Sequence, residues 1–68
     1  MAMIAFHIDD MSSPRCATAV TKAVRGVDHL AVVRVDLVSR TIEIEPGNAT
    51  ARQLGDAIRQ AGYTPNAA

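Results

Sequence analysis

Cys16 is the sole thiol of this 68-residue chain, and its neighbours decide what a single sulfur can do. It closes the run Asp9-Asp10-Met11-Ser12-Ser13-Pro14-Arg15-Cys16. Ser13-Pro14 reads as a helix start, with serine supplying the cap oxygen and proline occupying the first helical position. Cys16 then falls in the first turn, where unpaired backbone N–H groups and the helix dipole favour the thiolate. Arg15 adds a positive charge beside it. A thiolate in that position is a soft-metal ligand. The spacing also has a plainer consequence: Cys16 lies four residues before Val20, so the helix stripe tucks it partly inward as a small apolar residue.

Other residues with ligating chemistry are less well placed. Met11 offers a thioether. Asp9 and Asp10 are adjacent carboxylates without the further oxygens a calcium site needs, and read as solvated loop charges. No histidine or acid is spaced to orient Cys16 as a nucleophile, and no second cysteine is present to resolve a disulfide, so an enzyme is not expected.

The elements that must hold Cys16 follow from hydrophobic period. Ile4, Phe6 and Ile8 alternate with Ala5 and His7, the period of a half-buried strand. Val20, Ala23, Val24 and Val27 form the stripe of a first helix, which is expected to end between Gly26 and His29. Val33, Val35 and Leu37, then Ile42 and Ile44, form a hairpin across a turn at Ser39-Arg40. Thr50 and Gln53 make a capping box for a second helix whose buried stripe is Leu54, Ala57, Ile58 and Ala61. Gly62 suits the left-handed position past its end, and Tyr63-Thr64-Pro65 reads as a short last strand or a tail.

The order β-α-β-β-α-β predicts an α+β, ferredoxin-like sandwich: two helices on one face of a four-stranded antiparallel sheet, in one domain over residues 1–68. The open sheet face carries His7, Arg34, Asp36, Thr41, Glu43 and Glu45. The topology brings the Asp9–Ser13 loop, the Ser39-Arg40 turn and the turn at Tyr63 to one end, and sends His29 and Pro46–Asn48 to the other. Whatever Cys16 does should therefore draw on Arg15, Arg40 and Tyr63.

Composition narrows the partners. Seven Lys/Arg balance seven Asp/Glu, and Phe6 and Tyr63 are the only aromatic residues, which disfavours nucleic acid. No stretch approaches a membrane span, and Met1–Ile8 lacks the basic and apolar regions of a secretory leader. With a lone thiol, these features point to the reducing cytoplasm.

Phe6-His7-Ile8, Met11, Cys16, Val20, Val35-Asp36-Leu37 and Ala61-Gly62-Tyr63 together resemble the heavy-metal-associated domain family, which includes copper chaperones and the N-terminal modules of copper-exporting ATPases. The family loop is Gly-Met-Thr-Cys-x-x-Cys, and both thiolates hold Cu(I) or a related soft ion. Here Asp10 stands at the glycine, Met11 is kept, Ser12 replaces threonine, Ser13 replaces the first cysteine and Cys16 matches the second. The resemblance implies that Met11 points into the core under the loop and that Tyr63 sits beside the metal site. A serine hydroxyl is hard and stays protonated, so Ser13 does not replace a thiolate, and helix capping is its expected role.

The reading that follows is a Cu(I)-type soft-metal binding and delivery module with Cys16 as ligand and Met11, Ser13, Arg15 and Tyr63 as supporting residues. Its second sulfur would come from Cys16 of a second copy in a metal-bridged homodimer, from glutathione, or from a partner such as a metal-transporting ATPase. The alternative is a metal-free interaction domain that docks on an intact metal-binding domain or metal ATPase.

Overall fold

Strand, helix, strand, strand, helix, strand is the order found in the computed structural model, which describes residues 3–67. The elements are β1 (Ile4–Ile8), α1 (Pro14–Val27), β2 (Val32–Asp36), β3 (Thr41–Glu45), α2 (Ala51–Gln60) and β4 (Pro65–Ala67). The strands form one sheet in the order β2-β3-β1-β4, with every pair antiparallel. This is the predicted ferredoxin-like architecture.

Register explains why one face is buried. Ile4 pairs with Ile44 and Phe6 with Ile42, while Val33 and Val35 pair with the same two isoleucines from the other side. A strand's side chains alternate between faces, so these residues share the face beneath the helices. There they meet Val20 and Val24 of α1 and Leu54 and Ile58 of α2, all four fully buried, with Met11 and Ile8 completing the cluster. On the opposite face His7 pairs with Thr41 and Arg34 with Glu43, a surface polar enough to face water.

Each helix starts as its sequence dictates. Ser13 and Thr50 are extended N-caps whose hydroxyls accept from the backbone N–H of Cys16 and Gln53, and the Thr50–Gln53 capping box is complete.

Three expectations need correction. Val27 is 47% exposed rather than part of the core. Ala61 is exposed and acts as the C-cap of α2. Both have the correct helical phase, but they sit in the last turn or cap of their helices, where the stripe opens into a groove lined by Ala23, Gly26, Val27, Ala57, Gln60 and Ala61. The last strand is Pro65–Ala67 and begins two residues after Tyr63, because Tyr63 and Thr64 are used in the turn out of α2.

Candidate functional site

The first turn of α1, the loop before it and the turn after α2 converge at one end of the molecule. The loop leaves β1 through a tight turn in which Met11 N–H donates to the Ile8 carbonyl at 3.1 Å. The Met11 side chain is fully buried within the core cluster. Met11 thus anchors the loop from below, and its sulfur is unavailable to an ion above. The β2–β3 turn braces the loop from the side. Arg40, with φ of 54°, accepts from Ile8 N–H at 2.8 Å and donates from its guanidinium to the Asp9 carbonyl at 3.1 Å.

Ser13 meets Cys16 twice. Its oxygen caps the helix by accepting from Cys16 N–H at 3.4 Å, and its hydroxyl is 3.2 Å from the Cys16 sulfur as a donor. The cap is legible in the sequence and the contact to sulfur is not, although the i to i+3 spacing that makes a cap also brings the two side chains together.

Tyr63 arrives by a different route. α2 ends in a Schellman motif: Gly62, with φ of 98°, donates its N–H to the Arg59 carbonyl at 3.0 Å, and Tyr63 N–H reaches back to Ile58 at 3.2 Å. The turn throws the Tyr63 ring onto the edge of the core, half-buried. Tyr63 and Cys16 pack against the same edge of the core, and the phenol hydroxyl favours the thiolate, although only the Ser13 contact has the geometry of a formed hydrogen bond.

These contacts act on the thiol in one direction. The Ser13 hydroxyl first, then the Tyr63 hydroxyl and the backbone at Ser12 and Ser13, lower the Cys16 pKa below that of a free cysteine, and partial burial opposes them in part. Arg15 is exposed and is not among the groups responsible. The same contact with Cys16, together with burial and the charge of Asp10, raises the Tyr63 pKa and keeps that phenol protonated as a donor. The result is a half-buried cysteine whose thiol is more acidic than a free one, with the Ser13 and Tyr63 hydroxyls beside it.

The remaining sequence candidates lie elsewhere. His7 sits on the open sheet face with Nδ1 3.2 Å from an Asp9 carboxylate oxygen, a surface pair of small energetic weight. His29 is exposed at the far end. No group of three or more His, Cys, Asp or Glu residues that could hold a metal ion occurs among the described residues. No helix among them is long and apolar enough to cross a membrane. The donor set around Cys16 is one sulfur and two hard oxygens, which suits a soft ion bound through sulfur alone and does not close its coordination within one chain.

The model of the heavy-metal-associated domain matches residues 5–64. Among solved structures, a gold binding protein is similar with 35% identity and a TM-score of 0.90, covering 96% of this chain and 98% of that one. The copper chaperone Atx1 of Synechocystis PCC6803, in a form described as trimeric, has 38% identity and a TM-score of 0.87, covering 93% of this chain and 98% of its own. The N-terminal domain of PacS from the same organism shares the fold, with a TM-score of 0.84 at 20% identity over 100% of this chain and 98% of that one. A search of curated proteins finds no match.

Proposed function

From the premise that this chain belongs to the heavy-metal-associated domain family, we propose that it binds and passes on a soft metal ion, Cu(I) foremost, through the Cys16 thiolate. The observation that carries the reading is a half-buried cysteine, its pKa lowered, at the loop position where the family places a ligand. Copper chaperones among the similar structures support the choice of a soft ion.

Cu(I) favours two sulfur ligands in a near-linear arrangement, and Cys16 provides one. Binding releases the thiol proton, and the groups that lower the Cys16 pKa, the Ser13 hydroxyl foremost, ease that loss. The second sulfur comes from Cys16 of another copy, from glutathione, or from a partner such as a metal-transporting ATPase. Two copies bridged by one ion make the simplest closed assembly. Exchange of that second ligand is also how such a module would hand its cargo on, and no bond-making catalysis is involved. A cytoplasmic, thiol-reducing setting would keep Cys16 available.

Anaerobic Cu(I) titration followed by native mass spectrometry tests the reading. The expected species are a copper-bridged dimer or a mixed complex with glutathione, both absent from Cys16→Ala. Equal copper uptake by the wild type and Cys16→Ala would refute it.

One observation favours a second reading. Ser13 occupies a thiol position of the family loop and its hydroxyl is already engaged with Cys16. A metal-free domain that docks on an intact metal-binding partner would need no second ligand. Association with such a partner that persists in a copper chelator and in Cys16→Ala would support it over metal carriage.

A further inference from the structure

Asp28 is a charged side chain only 2% exposed, and nothing in the metal reading uses it. It is the C-cap of α1, with its own N–H on the Val24 carbonyl at 3.0 Å. One carboxylate oxygen accepts from three successive backbone N–H groups, Gly47 at 2.7 Å, Asn48 at 2.8 Å and Ala49 at 2.9 Å. The other accepts from Leu30 N–H at 3.1 Å. A side chain at residue 47 would leave no room for this approach: its Cβ would collide with Leu30 Cβ and lie 2.8 Å from Asp28 Oδ1. The segment gripped in this way leads directly into Thr50, the cap of α2.

The two helices connect this grip to the thiol. α1 begins beside Cys16 and ends at Asp28, and α2 begins just past the gripped loop and ends at the turn that carries Tyr63. At 14 residues, α1 spans about 21 Å. A helix is stiff along its axis and the core between the pair is close-packed, so the clamp and the thiol–phenol pair are opposite ends of one unit.

We propose that Asp28 is a positioning residue: by clamping the end of α1 to the start of α2 it sets the axial register of the helix pair and so holds Tyr63 against Cys16. The inference rests on the reading that Cys16 is the working thiol, but its test uses no metal, so the two can fail separately.

The experiment is a double-mutant cycle read by the rate at which iodoacetamide alkylates Cys16 at neutral pH, with folding of every variant checked by far-UV circular dichroism. Tyr63→Phe sets the scale, with a change of about threefold expected for one weak hydrogen bond. Asp28→Asn should shift the rate in the same direction by a similar factor, and should add nothing in the Tyr63→Phe background. Gly47→Ala presses on the clamp from the loop side and leaves the carboxylate in place, so it should behave like Asp28→Asn even if that variant folds poorly. If both variants keep the wild-type rate while folded, or shift it equally with and without the Tyr63 hydroxyl, the proposal is overturned and Asp28 serves local stability alone.

Discussion

At the Asp28 end of the molecule, a carboxylate sealed from water has four backbone N–H donors between 2.7 and 3.1 Å. At the Cys16 end, a half-buried thiol has one well-formed side-chain donor at 3.2 Å, from Ser13, with the Tyr63 hydroxyl as a further, weaker influence on its pKa. Both are acidic groups at a terminus of α1, and both are held with a pKa below the ordinary value for their type by donors directed at them. They differ in saturation. Asp28 has its acceptor capacity filled inside the protein, and its charge is spent on joining two segments. Cys16 keeps lone pairs free for a ligand from outside. The contrast shows how one small fold separates a group that stabilises from a group that reacts, through the number of internal partners given to each.

The strongest way to break this contrast is to make the loop end complete in itself. Ser13→Cys places a second thiol one turn from the first, as in the family loop, and Cu(I) affinity should rise by about a hundredfold or more because both sulfurs then come from one chain. A competition titration against a chelating indicator measures it, and copper-linked dimers should give way to a loaded monomer. An unchanged affinity would mean that the loop geometry does not suit two ligands.

The next largest effect is expected at the other end. Asp28→Asn leaves donors facing an amide instead of a carboxylate, and Tm should fall on the order of 10 °C for a domain of this size. The pH dependence has a definite sign. The folded-state pKa of Asp28 lies below the unfolded one, chiefly through the Ala49 N–H together with those of Asn48, Gly47 and Leu30, against opposing burial. Its stabilisation is therefore complete above the unfolded carboxylate pKa and is lost as pH falls through the folded value. Urea midpoints followed from about pH 6 down to about pH 2 should drop steeply for the wild type and less for Asp28→Asn.

Ser13→Ala should have an intermediate effect that touches both properties. Loss of the cap lowers stability by about 1 kcal/mol. Loss of the hydroxyl moves the pH profile of Cys16 alkylation upward, toward that of a free cysteine, since Ser13 is the leading cause of the lowered pKa. Tyr63→Phe should be the mildest, moving the profile in the same direction by less while leaving Tm close to the wild type, because the ring still packs and only the hydroxyl is lost. A larger shift from Tyr63→Phe than from Ser13→Ala would reverse the roles assigned to the two hydroxyls.

Most of the fold was legible because its signals are local. The alternation of Ile4, Phe6 and Ile8, the caps at Ser13 and Thr50 and the left-handed Gly62 each depend on residues a few positions apart, and each appears where it was expected. The placement of Met11 in the core likewise agrees with what the family resemblance implied. Less legible were features that depend on where an element runs out. Val27 has the right phase for burial, yet the helix face has already opened into solvent at its last turn. Arg15 was expected to lower the thiol pKa by charge, whereas hydroxyl and backbone groups do so. The candidate site was thus found from sequence as a position, and its electrostatics came from the structure.

Taken alone, the sequence determined the element order, the two faces of the sheet, the single thiol and the absence of a second one in the loop. These follow from residue type and short-range spacing, because strand and helix periods and ligand hardness do not depend on the rest of the chain. Only the tertiary structure decided that the Ser13 and Tyr63 hydroxyls converge on one sulfur and that Asp28 grips a segment about twenty residues further on. Those contacts join groups distant in sequence, or depend on the direction a side chain takes once the core has packed. No local pattern encodes such a meeting, since it exists only when every element around it is in place.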